Sequence, residues 1–357
     1  MSSKIKVGVI GLGVGMAHAH GYQANPDAEL IAVCDADPKR LKEQSEKLGI
    51  SPEQQFTDVI EMLALPDLEA VSVTLPNHLH APISIAAFQA GKHVLCEKPL
   101  ARTAVEAQSM VDAAKKAGKT LMVCFNYRFR EDARWLRALS DEGKFGQVYF
   151  AKAGWLRNTG IPGAGSWFTR KEQAGGGPLI DLGVHVLDLT LWLMGYPKVT
   201  SVSGSTYAKF GPQGKKSWGK PRGDVIYDVE DLAAGFVRFE NGASLSIETS
   251  WASHTKAGRD DYFVTLYGSE GGSELYVPNY ADRETISFFT EDGGVPINVR
   301  PSIVTRGGGH ELATAHFVQC LRDGTPPEST GDQGVALLKV IDALYESAKT
   351  GHEVRFD

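Results

Sequence analysis

A chain of 357 residues, 42% of them hydrophobic, is long enough for two domains and a sizeable buried core. The formal net charge of −6 excludes the basic face that nucleic-acid binding requires, and no apolar run reaches the length needed to span a bilayer, so neither nucleic acid nor membrane is an expected partner. Cys34, Cys96, Cys124 and Cys320 form no CxxC pair, and MSSKIKVGVIG has no signal-peptide core, so the reading is a cytoplasmic protein without a disulfide framework or a metal site.

Ile5–Ile10 reads as an apolar strand, followed by a glycine loop and a helix from near Met16. Strands are expected at 30–34, 70–74, 93–96 and 120–124, and helices after Asp37-Pro38 and at 82–90 and 104–116. Short apolar runs alternating with helices imply an α/β Rossmann doubly wound parallel sheet over residues 1–125. From 126 to 357 the pattern changes to α+β, with a large open mixed or antiparallel sheet. Ala243, Leu245, Ile247, Thr249 and Trp251 alternate with polar residues as in a strand with one covered face, and Asn241-Gly242 marks a hairpin with Leu232–Phe239. Further strands are expected at 148–153, 199–205, 262–267 and 285–289, and closing helices at 312–322 and 334–348. The basic loop 211–223, with Lys215, Lys216, Lys220 and Arg222, reads as a solvated surface loop, with a substrate lid or an oligomer arm as the alternatives.

Gly11, Gly13, Val14, Gly15 and Met16 lie between the first strand and its helix, where a backbone can approach a pyrophosphate. The third glycine of G-x-G-x-x-G is replaced by Met16, with Gly15 one place early. Asp35 ends the second strand at the distance where a carboxylate meets ribose hydroxyls, favouring NAD over NADP. Arg40 could accommodate a 2′-phosphate or stack on adenine. Thr74, Pro76, Asn77 and His80 follow the third strand, and Glu97-Lys98 the fourth, at the carboxyl ends where such a sheet binds its ligand. A lysine ending a buried strand suits proton transfer, or else an ion pair with Glu97.

Residues 175–193, GGGPLIDLGVHVLDLTLWL, read as a helix that is apolar almost all round and therefore interior. Asp181, His185 and Asp188 fall at i, i+4 and i+7 on one face. Taken alone, that stripe is either a satisfied structural network or a catalytic array.

These segments, with TLPNHLHAPISIAAFQAGKHVLCEKPLA, NYRF, VEDLAAGFVRFENG and ALYESAKTG, resemble the glucose–fructose oxidoreductase/inositol dehydrogenase (Gfo/Idh/MocA) family along nearly the whole chain. The resemblance implies an NAD(P)-binding Rossmann domain at 1–125 and a substrate-binding domain at 126–357 whose open sheet joins homodimers or homotetramers. It implies oxidation of a secondary hydroxyl on a sugar, glycoside or cyclic polyol. Keto-sugar reduction and a non-catalytic NAD- or sugar-binding sensor are the competing functions. Lys98, Asp181 and His185 become the catalytic set, with Glu97, Asn77 and His80 beside the cofactor and a cis bond at Lys98–Pro99. His185 suits the general base because an unperturbed imidazole titrates near working pH. Asp188 is read as structural. Arg128, Trp155, Arg157, Asn158 and Trp167 are candidate substrate contacts, core packing being the alternative for the tryptophans, and His254 is a weaker one. His310-Glu311 is set aside as a zinc-protease motif because Thr314 stands where the second histidine belongs.

Overall fold

The computed structural model describes residues 4–163, 165–219, 226–305 and 308–356. Strands β1 (Ile5–Ile10), β2 (Ala28–Cys34), β3 (Gln55–Phe56), β4 (Ala70–Val73), β5 (His93–Glu97) and β6 (Leu121–Cys124) alternate with helices α1 (Gly15–Ala24), α2 (Pro38–Leu48), α3 (Val59–Leu63), α4 (Asn77–Gln89) and α5 (Ala104–Ala117). The sheet is parallel throughout in the order β3-β2-β1-β4-β5-β6, and the order reverses between β1 and β4. Strands covered on both faces do not alternate, and all four consecutive residues of β4, Ala70, Val71, Ser72 and Val73, are fully buried.

Asp37 caps α2 by accepting the Lys39 and Arg40 amides, and Gly49 ends the helix in the left-handed region at φ 66°. The helix expected from Pro82 instead begins at Asn77, directly after Pro76. Pro82 sits close enough to the start that the N–H it lacks would reach only the first turn.

The later elements are α6 (Glu131–Asp141), β7 (Val148–Arg157), α7 (Lys171–Ala174), a π-helical turn (Leu179–Gly183), α8 (Val184–Leu193), β8 (Val199–Tyr207), β9 (Leu232–Phe239), β10 (Ser244–Ser250), β11 (Asp260–Gly268), β12 (Gly272–Pro278), β13 (Ile286–Asp292) and β14 (Val295–Val299). Helices α9 (His310–Asp323) and α10 (Gly331–Thr350) and strand β15 (Val354–Arg355) complete the chain. The second sheet runs β14-β13-β12-β11-β7-β10-β9-β8-β15, mixed because β7 and β10 are parallel and the other pairs antiparallel. The β9–β10 hairpin turns through Asn241-Gly242, with Gly242 at φ 85°.

The chain forms two compact units, Met1–Phe129 with Gly308–Leu338, and Arg130–Gly307 with Lys339–Asp357. The division is therefore not two consecutive stretches. Ala313, Phe317 and Val318 of α9 are buried in the same core as Val7, Val9 and Tyr22, which draws α9 into the unit of the parallel sheet. Helix α10 begins in one unit and ends in the other. No helix among the described residues is long and apolar enough to cross a membrane.

Candidate active site

In the glycine loop three residues divide the work. Gly11 adopts φ 93°, and a Cβ there would come within 2.6 Å of the Thr74 carbonyl oxygen. A Cβ on Gly15 would strike the Thr74 hydroxyl and come within 2.8 Å of Val9 Cγ1, so glycine here lets α1 close on the sheet. A Cβ on Gly13 would meet nothing within 4 Å, which leaves its backbone open for a diphosphate to approach. Helix–strand packing thus falls to Gly15, and Met16 is free to be an ordinary helical residue. Val14 stands directly before α1 and is exposed.

Asp35 is buried and accepts the Leu12 amide at 2.9 Å and the Asp37 amide at 2.9 Å, bracing the loop from the end of β2. The half-exposed Arg40 guanidinium lies 3.4 Å from it, partly offsetting its charge. Thr74 donates its hydroxyl to the Gly11 carbonyl at 2.6 Å and also lies 2.9 Å from that of Ile10, stapling β4 to β1 where the strand order reverses. The His80 ring nitrogens lie 2.8 Å from the Pro99 carbonyl and 2.7 Å from that of Leu75, tying together the loops after β4 and β5. Burial holds the His80 imidazole below its ordinary range, against the opposing pull of those carbonyls. Asn77, at the start of α4, is also buried. The Lys98–Pro99 bond is cis.

Glu97 turns into the interior. Its Oε1 is 3.0 Å from His18 Nε2 and 3.5 Å from His310 Nε2, and its Oε2 accepts the Lys98 amide at 3.1 Å. Burial pushes the carboxyl up, but the two imidazoles outweigh it and hold Glu97 well below the usual carboxylate range. Arg128 is fully buried, its guanidinium donating to the Glu328 carbonyl at 2.8 Å and Gln333 Oε1 at 2.9 Å, so it serves the interior of this unit.

In the second unit, the helix read as one regular stripe contains a break in period. Leu179–Gly183 is a π-helical turn carrying Asp181, and α8 carries His185 and Asp188. The wider turn shifts Asp181 out of strict i, i+4 register with His185. Asp181 Oδ2 accepts the Trp251 indole N–H at 2.9 Å. His185 is buried with its ring 5.6 Å from that of Trp155, whose indole donates to Asp260 at 2.7 Å. Arg157 donates to the same Asp260 oxygen at 3.0 Å and to the Tyr280 hydroxyl at 2.7 Å. Burial works against its charge, while Tyr280, Asp260 and Asp181 restore it and raise its pKa. Asp188 accepts from Tyr196 at 3.0 Å and is buried, in keeping with a structural role.

Asn158 donates to the Ser253 and Thr255 carbonyls at 3.2 and 2.8 Å, and Trp167 stacks on Phe168 with ring centroids 3.8 Å apart. The ring of His254 lies 5.0 Å from that of Phe210. Within loop 211–223, Lys216 donates to the Asn158 carbonyl at 2.9 Å, and the Arg157 guanidinium lies 4.7 Å from the Trp218 ring, so this part is not merely solvated. Lys220 and Arg222 lie outside the described residues.

The sequence reading missed Trp251, Asp260, Tyr280 and Glu230. Glu230 is buried and accepts the Gly177 amide at 2.9 Å, the Leu179 amide at 3.1 Å and the Tyr345 hydroxyl at 2.9 Å. It is a carboxylate cap supplied from a distant loop, holding the start of the segment that carries Asp181. VEDL in the sequence signals an acidic pair but not its target.

Residues 5–125 match the model of an oxidoreductase family's NAD-binding Rossmann fold, and 137–356 match that family's C-terminal alpha/beta domain. The chain is 33% identical to the D-glucoside 3-dehydrogenase of Escherichia coli (strain K12), covering 99% of this chain and 98% of the relative. It is 34% identical to the levoglucosan dehydrogenase of Pseudarthrobacter phenanthrenivorans, covering 96% of each. The solved structure of levoglucosan dehydrogenase in complex with NADH and levoglucosan superposes with a TM-score of 0.86, at 26% identity and 99% coverage of each chain.

Two contrasts test this account. Gly15→Ala should destabilise the protein by about 1–3 kcal/mol through overpacking, whereas Gly13→Ala should stay within about 0.5 kcal/mol while NAD affinity falls. Urea unfolding and cofactor titration read the two effects separately. Glu230→Ala, which strands two buried amides, should lose about 2–3 kcal/mol and lower kcat more than it raises KM, with Glu230→Gln intermediate. Equal kcat values across this series would remove Glu230 from the support of Asp181.

Proposed function

The chain belongs to the Gfo/Idh/MocA oxidoreductase family, and we propose that it oxidises a secondary hydroxyl of a sugar, glycoside or cyclic polyol by hydride transfer to NAD. The observation that carries this reading lies in the second unit, where Asp181 and His185 are set into a segment that is otherwise buried and apolar and are flanked by Trp251, Trp155 and Arg157. Ionisable groups are costly in such surroundings unless they are used or satisfied. The Trp251 indole N–H and the Arg157 guanidinium set donors beside Asp181, a polar array that suits a substrate bearing many hydroxyls.

The glycine loop fits the diphosphate of NAD by its open backbone at Gly13, and Asp35, at the end of β2, is the group we assign to the ribose hydroxyls. Bound NAD supplies the hydride acceptor. His185 takes the proton of the substrate hydroxyl as hydride leaves the carbinol carbon. Lys98 holds the reacting oxygen and stabilises the negative charge that develops on it. Asp181, fixed by Trp251, orients the substrate hydroxyl or the imidazole. Trp155 and Arg157, both buried and both donating to Asp260, are the side chains we assign to the wall behind the sugar ring. Arg128 is left out because its guanidinium is engaged inside the first unit.

The open face of the second sheet carries Phe150 stacked with Tyr267 at 5.6 Å, with Lys152 over both rings, and the exposed Tyr276 and Phe289. An aromatic surface of this kind is where copies of the chain would meet as a homodimer or homotetramer. The chain's four thiols, buried and unbridged, suit the cytoplasm.

Lys98→Ala should abolish hydride transfer while NAD affinity stays within a few-fold. The check is reduced-nicotinamide absorbance over a panel of inositols, aldoses, sugar acids and glycosides, beside an NAD titration. Undiminished turnover would take Lys98 out of the mechanism, and silence of the wild type over the whole panel despite tight NAD binding would favour a sensor. Analytical ultracentrifugation should show an oligomer that Tyr267→Lys weakens; a wild-type monomer sinks the assembly.

A further inference from the structure

We propose that the NAD-binding unit holds a divalent metal ion of zinc's class between His18, Glu97, Cys124 and His310. The four come from separate elements. His18 lies in α1, Glu97 ends β5, Cys124 ends β6 and His310 opens α9. Each offers one ligand atom, and these atoms all lie within 4.8 Å of one another.

Three of the six separations are close to those of a coordination shell. Glu97 Oε1 is 3.0 Å from His18 Nε2 and 3.5 Å from His310 Nε2, and Cys124 Sγ is 3.7 Å from His18 Nε2. A tetrahedral zinc ion, with nitrogen and oxygen at about 2.0–2.1 Å and sulfur at about 2.3 Å, sets edges of about 3.3–3.4 Å between its lighter ligands and about 3.6 Å to sulfur. These three edges lie within a few tenths of an ångström of those values, and the remaining edges, none longer than 4.8 Å, close onto the ion as it binds.

The donor chemistry selects the ion. Sulfur and imidazole favour zinc-like metals and disfavour magnesium or calcium. One carboxylate and one thiolate carry two negative charges, which a divalent cation cancels, so the occupied site buries no net charge. On binding, the Cys124 S–H bond gives way to a sulfur–metal bond and the proton passes to solvent. Without an ion, Cys124 remains a thiol, because burial and the nearby Glu97 raise its pKa far above the ordinary range. The outer contacts have the form that ligating histidines show. His18 Nδ1 lies 3.0 Å from Ser72 Oγ, itself 2.7 Å from the Tyr22 hydroxyl, which fixes the ring with Nε2 toward the cluster. His310 is the one partly exposed member, at 22% of its side chain, and offers an ion a way in.

Four protein ligands fill a tetrahedron and leave no position for substrate, so the ion would be structural. It would fasten α9 to the end of β5, directly before Lys98. The assignment is independent of which hydroxyl compound the enzyme oxidises.

The test is cobalt(II) titration of chelator-treated full-length protein, with elemental analysis of zinc-reconstituted protein. The expected result is one ion per chain, visible d–d absorption of tetrahedral cobalt, a thiolate-to-cobalt charge-transfer band, and a rise in Tm with zinc. Cys124→Ser should lose the charge-transfer band. His310→Ala, at the partly exposed position, should weaken zinc binding by more than about tenfold, the lower bound for disturbing even outer contacts of such sites. Wild-type protein that gives no tetrahedral cobalt spectrum and no zinc-dependent rise in Tm overturns the proposal and leaves a hydrogen-bonded His–Glu–His cluster. Spectra unchanged in both variants also overturn it, as binding elsewhere on the surface.

Discussion

A carboxylate taken out of water is costly unless donors meet it, and this requirement organises the working parts of both units. Asp35 braces the glycine loop through the Leu12 amide, Glu97 faces two imidazoles beyond the end of β5, and Glu230 caps the segment bearing Asp181. In each case the donor comes from an element distant in sequence. The carboxylate is thus both the cost and the means of fixing the geometry. Removing one strands its donors as well, which makes these positions more sensitive than their small share of the core suggests.

The Rossmann sheet was legible because parallel strands covered on both faces leave unbroken apolar runs and Asp37 with Pro38 marks a helix start, and the β9–β10 hairpin of the second sheet because Asn241 with Gly242 carries its own local geometry. Legibility ended where structure depends on distant partners. Strand β14, Val-Pro-Ile-Asn-Val, is an exposed edge with a proline in it and shows no covered face. Helix α4 starts before a proline that would ordinarily mark a beginning, and the π-helical turn at Leu179–Gly183 has no signature in an apolar run. The His18, Glu97, Cys124 and His310 cluster escaped because motif reading needs ligands at short spacing, and these are gathered by four elements rather than by one loop. The expectation that this chain lacks a metal site rested on that missing spacing.

The apparent flaw in the glycine signature has a similar explanation. What a glycine fingerprint requires is a tight turn, an open backbone and a close helix–strand approach, not a fixed period. Gly11, Gly13 and Gly15 meet all three requirements in fewer residues, with the Thr74 side chain pressed against the place where a Cβ at 15 would stand. The departure at Met16 is a change of spelling with the function of each position retained.

The division of the chain also bears on how it is made. A ribosome releases β1 to β6 early, yet α9, which completes that unit's core and brings His310 to Glu97, belongs to Gly308–Leu338 and emerges only after the strands β7 to β14. Domains generally fold as they are synthesised, from the N-terminal end. Here the unit that begins first is completed nearly last, so a nascent chain must hold an unfinished apolar surface through most of its translation. A fragment cut after Phe129 would remain at that stage permanently.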